Sequence, residues 1–348
     1  MRVLVASDAI GALTSLQAGR VIASGWSSAA AVDVVALGEA GAGFVSAFAE
    51  QRGASVEVSA VGASTVTLAE VDGVAALKVS GEHPHGDLPY DSSSRALGEA
   101  LNQLVAARHP RRVYVDLIGV AVHDAGAGLL AGLGATADRP LDHGAPGLID
   151  VSVLDLSAAF SALGDTELIG VVPHGELNRH LLGLRGITSI HGRSAGLDPG
   201  LLLSIDAALE GFARLASAEE AVKPGAGACG GLGFAVLALG GRLATGPEVA
   251  LASVEREVDL MVTGCTVFDF ATRGGGVVAA VAEAAAAALS PCIVLAGEVL
   301  IGAREMRTMG IEAAYAARET AGDRPNDLAV SEAELTALAR RVARSWSW

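Results

Sequence analysis

The chain has 348 residues, 51% of them hydrophobic and 18% charged, with a formal net charge of minus 15. That length and apolar content suit two domains with their own cores, and the negative balance argues against nucleic acid or an anionic membrane as a partner. The longest apolar run, Val277 to Leu289, is interrupted by Glu283 and falls short of the roughly 18 to 20 residues that cross a bilayer.

Met1 to Ala6 reads as a buried strand, Leu16 to Trp26 as a helix, Val32 to Leu37 as a strand and Gly43 to Arg52 as a helix. The apolar opening ends at Asp8, too early for a secretory signal, so a cytoplasmic location is expected. Val56 to Val61, Val66 to Val71 and Ala75 to Ser80 are short β-rich runs, and Val71-Asp72-Gly73 is a hairpin signal, which together predict antiparallel sheet. A helix follows over Ser93 to Arg108, a strand over Arg112 to Leu117, and a Gly/Ala-rich helix from near Asp124. Strands are expected near Val151 to Leu156 and Ile169 to Val172, then a long amphipathic helix over Asp198 to Ala218. The α/β rhythm then returns, with strands at Asp259 to Thr263, Pro291 to Ala296 and Ile311 to Tyr315 and helices at Gly275 to Ala288 and Ser331 to Arg344.

Two opening and three closing strands make one five-stranded parallel sheet in a discontinuous α/β domain of residues 1–55 and 243–348. A mixed-sheet domain of residues 56–242 is inserted in it. A ligand cleft between two such domains is the ordinary expectation, with the carboxyl ends of the parallel strands as one wall.

Lys223-Pro-Gly-Ala-Gly-Ala-Cys-Gly-Gly-Leu-Gly233 is a glycine-dense turn entering an apolar helix, a pattern that brings backbone N–H groups close to a phosphate. Tight helix-to-sheet packing is the alternative explanation, and glycine is abundant throughout, with 44 residues. The chain holds two lysines, Lys78 and Lys223, whereas phosphoryl transfer needs positive charge on the phosphates. Asp8 ends the first strand, where α/β folds place ligands, and Asp124 lies between a strand and a helix, each equally a cap or turn residue; Asp269, in the loop after Thr263-Gly264, is a carboxylate for Mg²⁺ or a hydroxyl proton, or a solvated loop acid. His83-Pro-His85, with Glu82 and Asp87, lacks further ligands at metal spacing and reads as a loop. Cys229, Cys265 and Cys292 offer neither a disulfide framework nor CxxC spacing. The two tryptophans of Arg344-Ser-Trp-Ser-Trp348 are expected to dock on the chain's own surface.

Pro224-Gly-Ala-Gly-Ala-Cys-Gly-Gly-Leu-Gly-Phe234 resembles the PGAGAAGGLGF segment of the two-domain bacterial glycerate kinases. Further blocks follow in that family's order: Met1-Arg-Val-Leu-Val-Ala-Ser-Asp8, Ser93-Ser-Arg-Ala-Leu-Gly-Glu99, Asp124-Ala-Gly-Ala-Gly-Leu-Leu130, and Val262-Thr-Gly264 with Asp269 and Thr272. The resemblance spans most of the chain. It implies a flavodoxin-like five-stranded domain split by a mixed-sheet domain, and ATP-dependent phosphorylation of glycerate or a related small hydroxy acid.

On that resemblance Asp8, Asp124 and Asp269 are the catalytic candidates, with Asp124 and Asp269 holding Mg²⁺. Gly225, Gly227, Gly230, Gly231, Thr263, Gly264, Lys223, Arg193 and Arg273 are the candidates for substrate and nucleotide. The departures fall at polar positions: Gly11, Gly192-Arg-Ser-Ala-Gly196 and Gly276 stand where the family has lysine-bearing motifs, His123 replaces an asparagine and Cys265 a glutamate. Each lost transition-state donor typically costs about 10² to 10³ in rate. The alternative is therefore a catalytically inactive homologue that binds a metabolite or a protein, and either form is compatible with a homo-oligomer.

Overall fold

The computed structural model describes residues 1–41, 43–81, 88–252, 254, 257–318 and 330–347. The His83-Pro-His85 loop and Trp348 lie outside them. In chain order the first elements are β1 (Arg2–Ser7), α1 (Ser15–Ala23), β2 (Ala31–Ala36), α2 (Phe44–Arg52), β3 (Val56–Val61), β4 (Ser64–Val71), β5 (Val74–Ser80), α3 (Arg95–Arg108) and β6 (Arg112–Asp116). Next come α4 (Ala127–Gly132), β7 (Thr136–Ala137), α5 (Gly144–Gly147), β8 (Leu154–Asp155), α6 (Ser157–Leu163), β9 (Glu167–Val171), α7 (Ile187–Ser194), α8 (Pro199–Ala221), α9 (Ala228–Ala238) and β10 (Arg242–Ala244). The chain closes with α10 (Gly246–Leu251), β11 (Leu260–Asp269), α11 (Gly275–Ala287), β12 (Cys292–Leu300), α12 (Ala303–Thr308), β13 (Ala313–Ala316) and α13 (Glu332–Ala343).

Two compact units result, Met1–Gly53 with Gly246–Trp348, and Ala54–Thr245. The first contains a parallel sheet ordered β13-β12-β11-β1-β2. Counted within the unit this is the 2-1-3-4-5 order of flavodoxin-like folds, and the chain reverses direction of travel between β1 and β11. Both sheet faces are covered, which is why its strands read as unbroken apolar runs. Val3, Val5, Leu260 and Val262 pack with Ile22 and Trp26 of the α1 side and Leu335 and Leu338 of α13. Leu4, Ala6, Met261 and Val294 pack with Val277, Val278 and Val281 of α11. Capping boxes start both α1, through Thr14 and Gln17, and α13, through Ser331 and Glu334. The tail folds back on the same unit, where Trp346 Nε1 donates to the Tyr315 hydroxyl at 2.8 Å.

The second unit is built on a mixed sheet ordered β10-β9-β6-β5-β4-β3. The β3-β4-β5 part is antiparallel and the rest parallel. Asp72 and Gly73 join β4 to β5 with φ of 50° and 69°, the two positive values a type I′ hairpin needs. Helices α3 and α4 cross at backbone contact: a Cβ on Gly98 would stand 2.1 Å from the Leu129 carbonyl oxygen.

Three features differ from the sequence expectation. The strand anticipated over 151–156 is reduced to β8, because Asp138 takes the Ser152 and Val153 N–H groups and holds them out of any ladder. β10 pairs with β9, so the boundary falls after Thr245 rather than before residue 243, and the earlier one falls after Gly53 rather than residue 55. The long helix α8 runs to Ala221 but is broken at Ser217, whose φ is −167° and ψ 102°.

Candidate functional site

In the first unit the polar groups gather at the carboxyl ends of β1, β2 and β11, where open α/β sheets take their ligands. Asp8 follows β1 directly: its N–H donates to the Gly264 carbonyl at 3.1 Å and its Oδ1 accepts Ala9 N–H at 2.8 Å. Burial raises the Asp8 carboxyl to about 6, Glu39 adds to the rise and the Ala9 bond opposes it. The acid therefore exchanges its proton near neutrality, which suits general acid–base work. Gly11, at φ 58°, donates its N–H to Thr266 Oγ1 at 3.0 Å.

Glu39, just past β2, reaches the start of α11, where its Oε1 accepts from Gly276 N–H and from Val277 N–H, the latter at 3.1 Å. A carboxylate there satisfies two unpaired donors and the helix dipole. The chain enters α11 with positive φ, 53° at Arg273, 75° at Gly274 and 79° at Gly275, the helix's first residue. Arg273 is exposed and its guanidinium lies 5.8 Å from the Phe270 ring centroid. Asp269 Oδ1 accepts from Thr272 N–H at 2.6 Å and from its hydroxyl at 2.8 Å, bonds that hold the carboxyl below its usual range. Thr263 is fully buried and, among the described residues, its Oγ1 has no hydrogen-bond partner. A side chain at Gly264 would meet Leu295 O and Ser7 Oγ, each at 2.9 Å, so this glycine is needed for packing. Burial, with Asp8 and Asp269 contributing, pushes the Cys265 thiol up to about 12, which keeps it protonated and unreactive.

The second unit carries the other candidates. Asp124 is completely buried; its Oδ2 accepts from Ser94 N–H at 2.9 Å, Ser94 Oγ at 2.7 Å and Gly128 N–H at 3.1 Å, and its Oδ1 from Gly126 N–H at 2.9 Å. Burial drives its pKa upward while these four donors pull it back. They fasten the start of α3 to the start of α4. The adjacent His123 is also fully buried, with Nε2 2.8 Å from Thr188 Oγ1 and, among the described residues, no partner for Nδ1. Burial, helped by His191, lowers it to about 3, so the ring is neutral at physiological pH.

The glycine-dense turn packs against its own unit. A Cβ on Gly225 would meet Leu243 Cδ1 at 2.5 Å, one on Gly227 the His180 carbonyl oxygen at 2.2 Å, one on Gly230 that of Val122 at 1.8 Å, and one on Gly231 the Ala125 Cα at 2.5 Å. Cys229, Gly230 and Gly231 all have positive φ, 51°, 73° and 92°. Cys229 N–H donates to Glu176 Oε2 at 3.3 Å, and Glu176 Oε1 is paired with Arg179 at 2.8 Å. Lys223, just before the turn, lies 2.6 Å from Glu220 Oε1. Arg193 is exposed in the last turn of α7.

Asp8, Thr263, Gly264, Asp269 and Arg273 thus belong to one unit, and Asp124, Arg193, Lys223 and the four turn glycines to the other. Glu39 was not among the sequence candidates, although its place just after a parallel strand is the rule that selected Asp8. Ser94 lies in the Ser93–Glu99 block of the resemblance, but its role, like that of Glu176, depends on contacts distant along the chain. Among the described residues no three histidine, cysteine or acidic side chains converge on a metal position. Nucleotide-bound Mg²⁺ needs only one or two protein carboxylates beside phosphate oxygens. Asp269, only partly buried, fits that requirement; Asp124, enclosed and holding four donors, does not.

The chain matches the family described as the glycerate kinase family over residues 3–347. An uncharacterized protein of Mycobacterium bovis is 29% identical over 370 residues, covering 99% of this chain and 91% of that protein. A glycerate kinase of Bacillus cereus is 26% identical over 274 residues, 74% of this chain and 70% of that one. A crystal structure of a candidate glycerate kinase 2 from Salmonella typhimurium LT2 superposes with a TM-score of 0.78 at 22% identity, covering 99% of this chain and 98% of the other. That likeness bears on the fold.

Proposed function

This chain belongs to the glycerate kinase family, and from that premise we propose that it transfers a phosphoryl group from ATP to a hydroxyl of glycerate or a related small hydroxy acid. The observation that carries the proposal is Asp8. It stands at the strand-order reversal of a flavodoxin-like sheet with its carboxyl raised to about 6. In this reading Asp8 accepts the hydroxyl proton as the oxygen–phosphorus bond forms and ADP departs. Arg273, exposed on the same unit as Asp8, neutralises phosphate charge in place of the missing lysines. Thr263 and Gly264 set the backbone that holds Asp8, whose N–H bonds the Gly264 carbonyl. Asp269 would hold Mg²⁺ on the nucleotide, and the ion would supply neutralisation of the phosphate charge. Asp124 acts as the fastener of the second unit's loops.

Mass-spectrometric detection of phosphoglycerate and ADP, after incubation with Mg²⁺, ATP and D-glycerate, tests the proposal, with Asp8→Asn as control. Product from the parent alone supports it, equal product from both removes Asp8 from the mechanism, and no product from either overturns the kinase reading.

The second reading, an inactive homologue that binds a metabolite or a protein, draws on the missing lysines. The position of one family lysine is Gly11, whose N–H is committed to Thr266, and Lys223 is already ion-paired. A ligand that binds only the native state must raise its stability. If ATP with Mg²⁺ leaves the melting temperature unchanged at millimolar concentration, this second reading gains; a clear rise counts against it.

A further inference from the structure

Strand β3 is the outer edge of the six-stranded sheet, and among the described residues no further strand pairs with it. All six of its residues pair with β4 without a bulge, from Val56 with Ala69 to Val61 with Ser64. Its first five residues are exposed, Val56 at 43% and Val58 at 69%. Natural edges of this kind are ordinarily blunted by lysine, proline, a bulge or an inward charge. β3 has none of these, and its one charged residue, Glu57, is ion-paired with Arg108 at 2.6 Å, a guanidinium that also holds Glu70 at 3.1 Å.

The direction of the unpaired groups follows from the turn. β3 and β4 are joined by Gly62-Ala63, with φ 57° at Gly62, the position where a type II′ hairpin demands glycine. In such a hairpin the two residues flanking the turn exchange both hydrogen bonds, and the pattern alternates from there. Val61, Ser59 and Glu57 therefore bond to β4, while Ala60, Val58 and Val56 aim N–H and C=O away from the sheet. The I′ turn between Val71 and Val74 gives the same parity to β4, since odd-numbered residues there bond to β5.

We infer that β3 pairs with β3 of a second copy of this chain, antiparallel about a two-fold axis through Val58, so that the two mixed sheets become one. In that register Val58 faces Val58 and Val56 faces Ala60, each as a hydrogen-bonded pair, and the three apolar side chains of each copy form one continuous stripe. Glu57 then falls opposite Ser59 of the second copy in the closer, non-hydrogen-bonded position, where the exposed hydroxyl donates to the carboxylate, and the symmetry makes this contact twice. That self-complementarity, with Glu57 ion-paired to Arg108 and no other charge on the strand, lets two chains of minus 15 meet at this edge. A single strand pair buries well under the roughly 1,600 Å² of a standard interface, so the dimer dissociates at about micromolar concentration.

Analytical ultracentrifugation of the full chain across that range tests the inference. The expected result is a reversible monomer–dimer equilibrium, weakened at least about tenfold by Val58→Pro, which removes an outward N–H and leaves the β3–β4 ladder intact. Val58→Lys should act the same way by placing like charges on the axis. Should either variant fold poorly, hydrogen exchange on the unaltered chain decides: protection of the Val56, Val58 and Ala60 amides must rise with protein concentration. A monomer at every concentration, a dimer indifferent to both substitutions, or protection independent of concentration overturns the inference, as does a monomer whose edge takes only a foreign extended peptide.

Discussion

The Ser94 hydroxyl donates to Asp124 Oδ2 across 2.7 Å while passing its own oxygen to Leu129 N–H at 2.8 Å, so one serine ties the start of α3 to both the carboxylate and α4. Asp124→Asn keeps the size but turns one acceptor into a donor among four donors. The expected loss is about 3 kcal/mol, because a buried donor facing donors pays its full desolvation cost. Ser94→Ala should cost less, about 1 to 2 kcal/mol. Urea unfolding of both variants checks the order; equal or negligible losses would return Asp124 to the ligand-binding candidates.

Glycines of the 224–233 segment separate from ordinary turn glycines by what surrounds them. Gly230 has φ 73° with the Val122 carbonyl oxygen 1.8 Å from the place of a Cβ, whereas Gly240 has φ 79° and open space. Gly240→Ala pays for the left-handed backbone alone, about 1 kcal/mol. Gly230→Ala must also push the 119–126 loop away, which should leave little folded protein in a soluble-expression and circular-dichroism comparison.

The strand periods and the motif order made most of the architecture legible, because a parallel strand covered on both faces leaves a continuous apolar run and a tight hairpin leaves its Asp-Gly. The 151–156 segment misled for a physical reason: its alternation is strand-like, but Asp138 captures the N–H groups that a ladder would need. The site was half legible. Asp8 and Asp269 could be selected by their place after strands, yet the saturation of Asp124 needs Ser94, and the packing role of Gly227 and Gly230 needs His180 and Val122, all distant along the chain. No local pattern encodes that.

His123 should make the protein acid-sensitive. Its folded pKa is lowered to about 3 from the usual 6.5, so the unfolded chain binds a proton that the folded chain refuses. The stability this gives is present above about 6.5 and is lost as pH falls toward 3, at up to about 1.4 kcal/mol per pH unit. His123→Asn, which installs the amide of the resembling family, should flatten the slope in that window. Parallel slopes for parent and variant between pH 6 and 4 would mean the ring finds a partner for its proton.

Asp8 shifts the opposite way. Its folded pKa of about 6 lies above the usual 3.8, so the folded state favours the protonated acid. The stability tied to that proton is complete below about 3.8 and lost as pH rises through about 6, which leaves the native protein carrying a penalty at pH 8. Asp8→Asn keeps an acceptor for Ala9 N–H and removes the charge, so it should stabilise the protein by about 1 to 2 kcal/mol at pH 8 and by nothing at pH 3.5. A residue kept only for structure gains from that exchange, whereas one kept for proton transfer loses turnover by about 10² or more. Denaturant unfolding at the two pH values, read beside phosphoglycerate formation, separates these outcomes: a variant that is more stable at pH 8 and inactive has Asp8 strained in the service of catalysis. One that is no more stable removes the burial penalty on which the proton-accepting role rests.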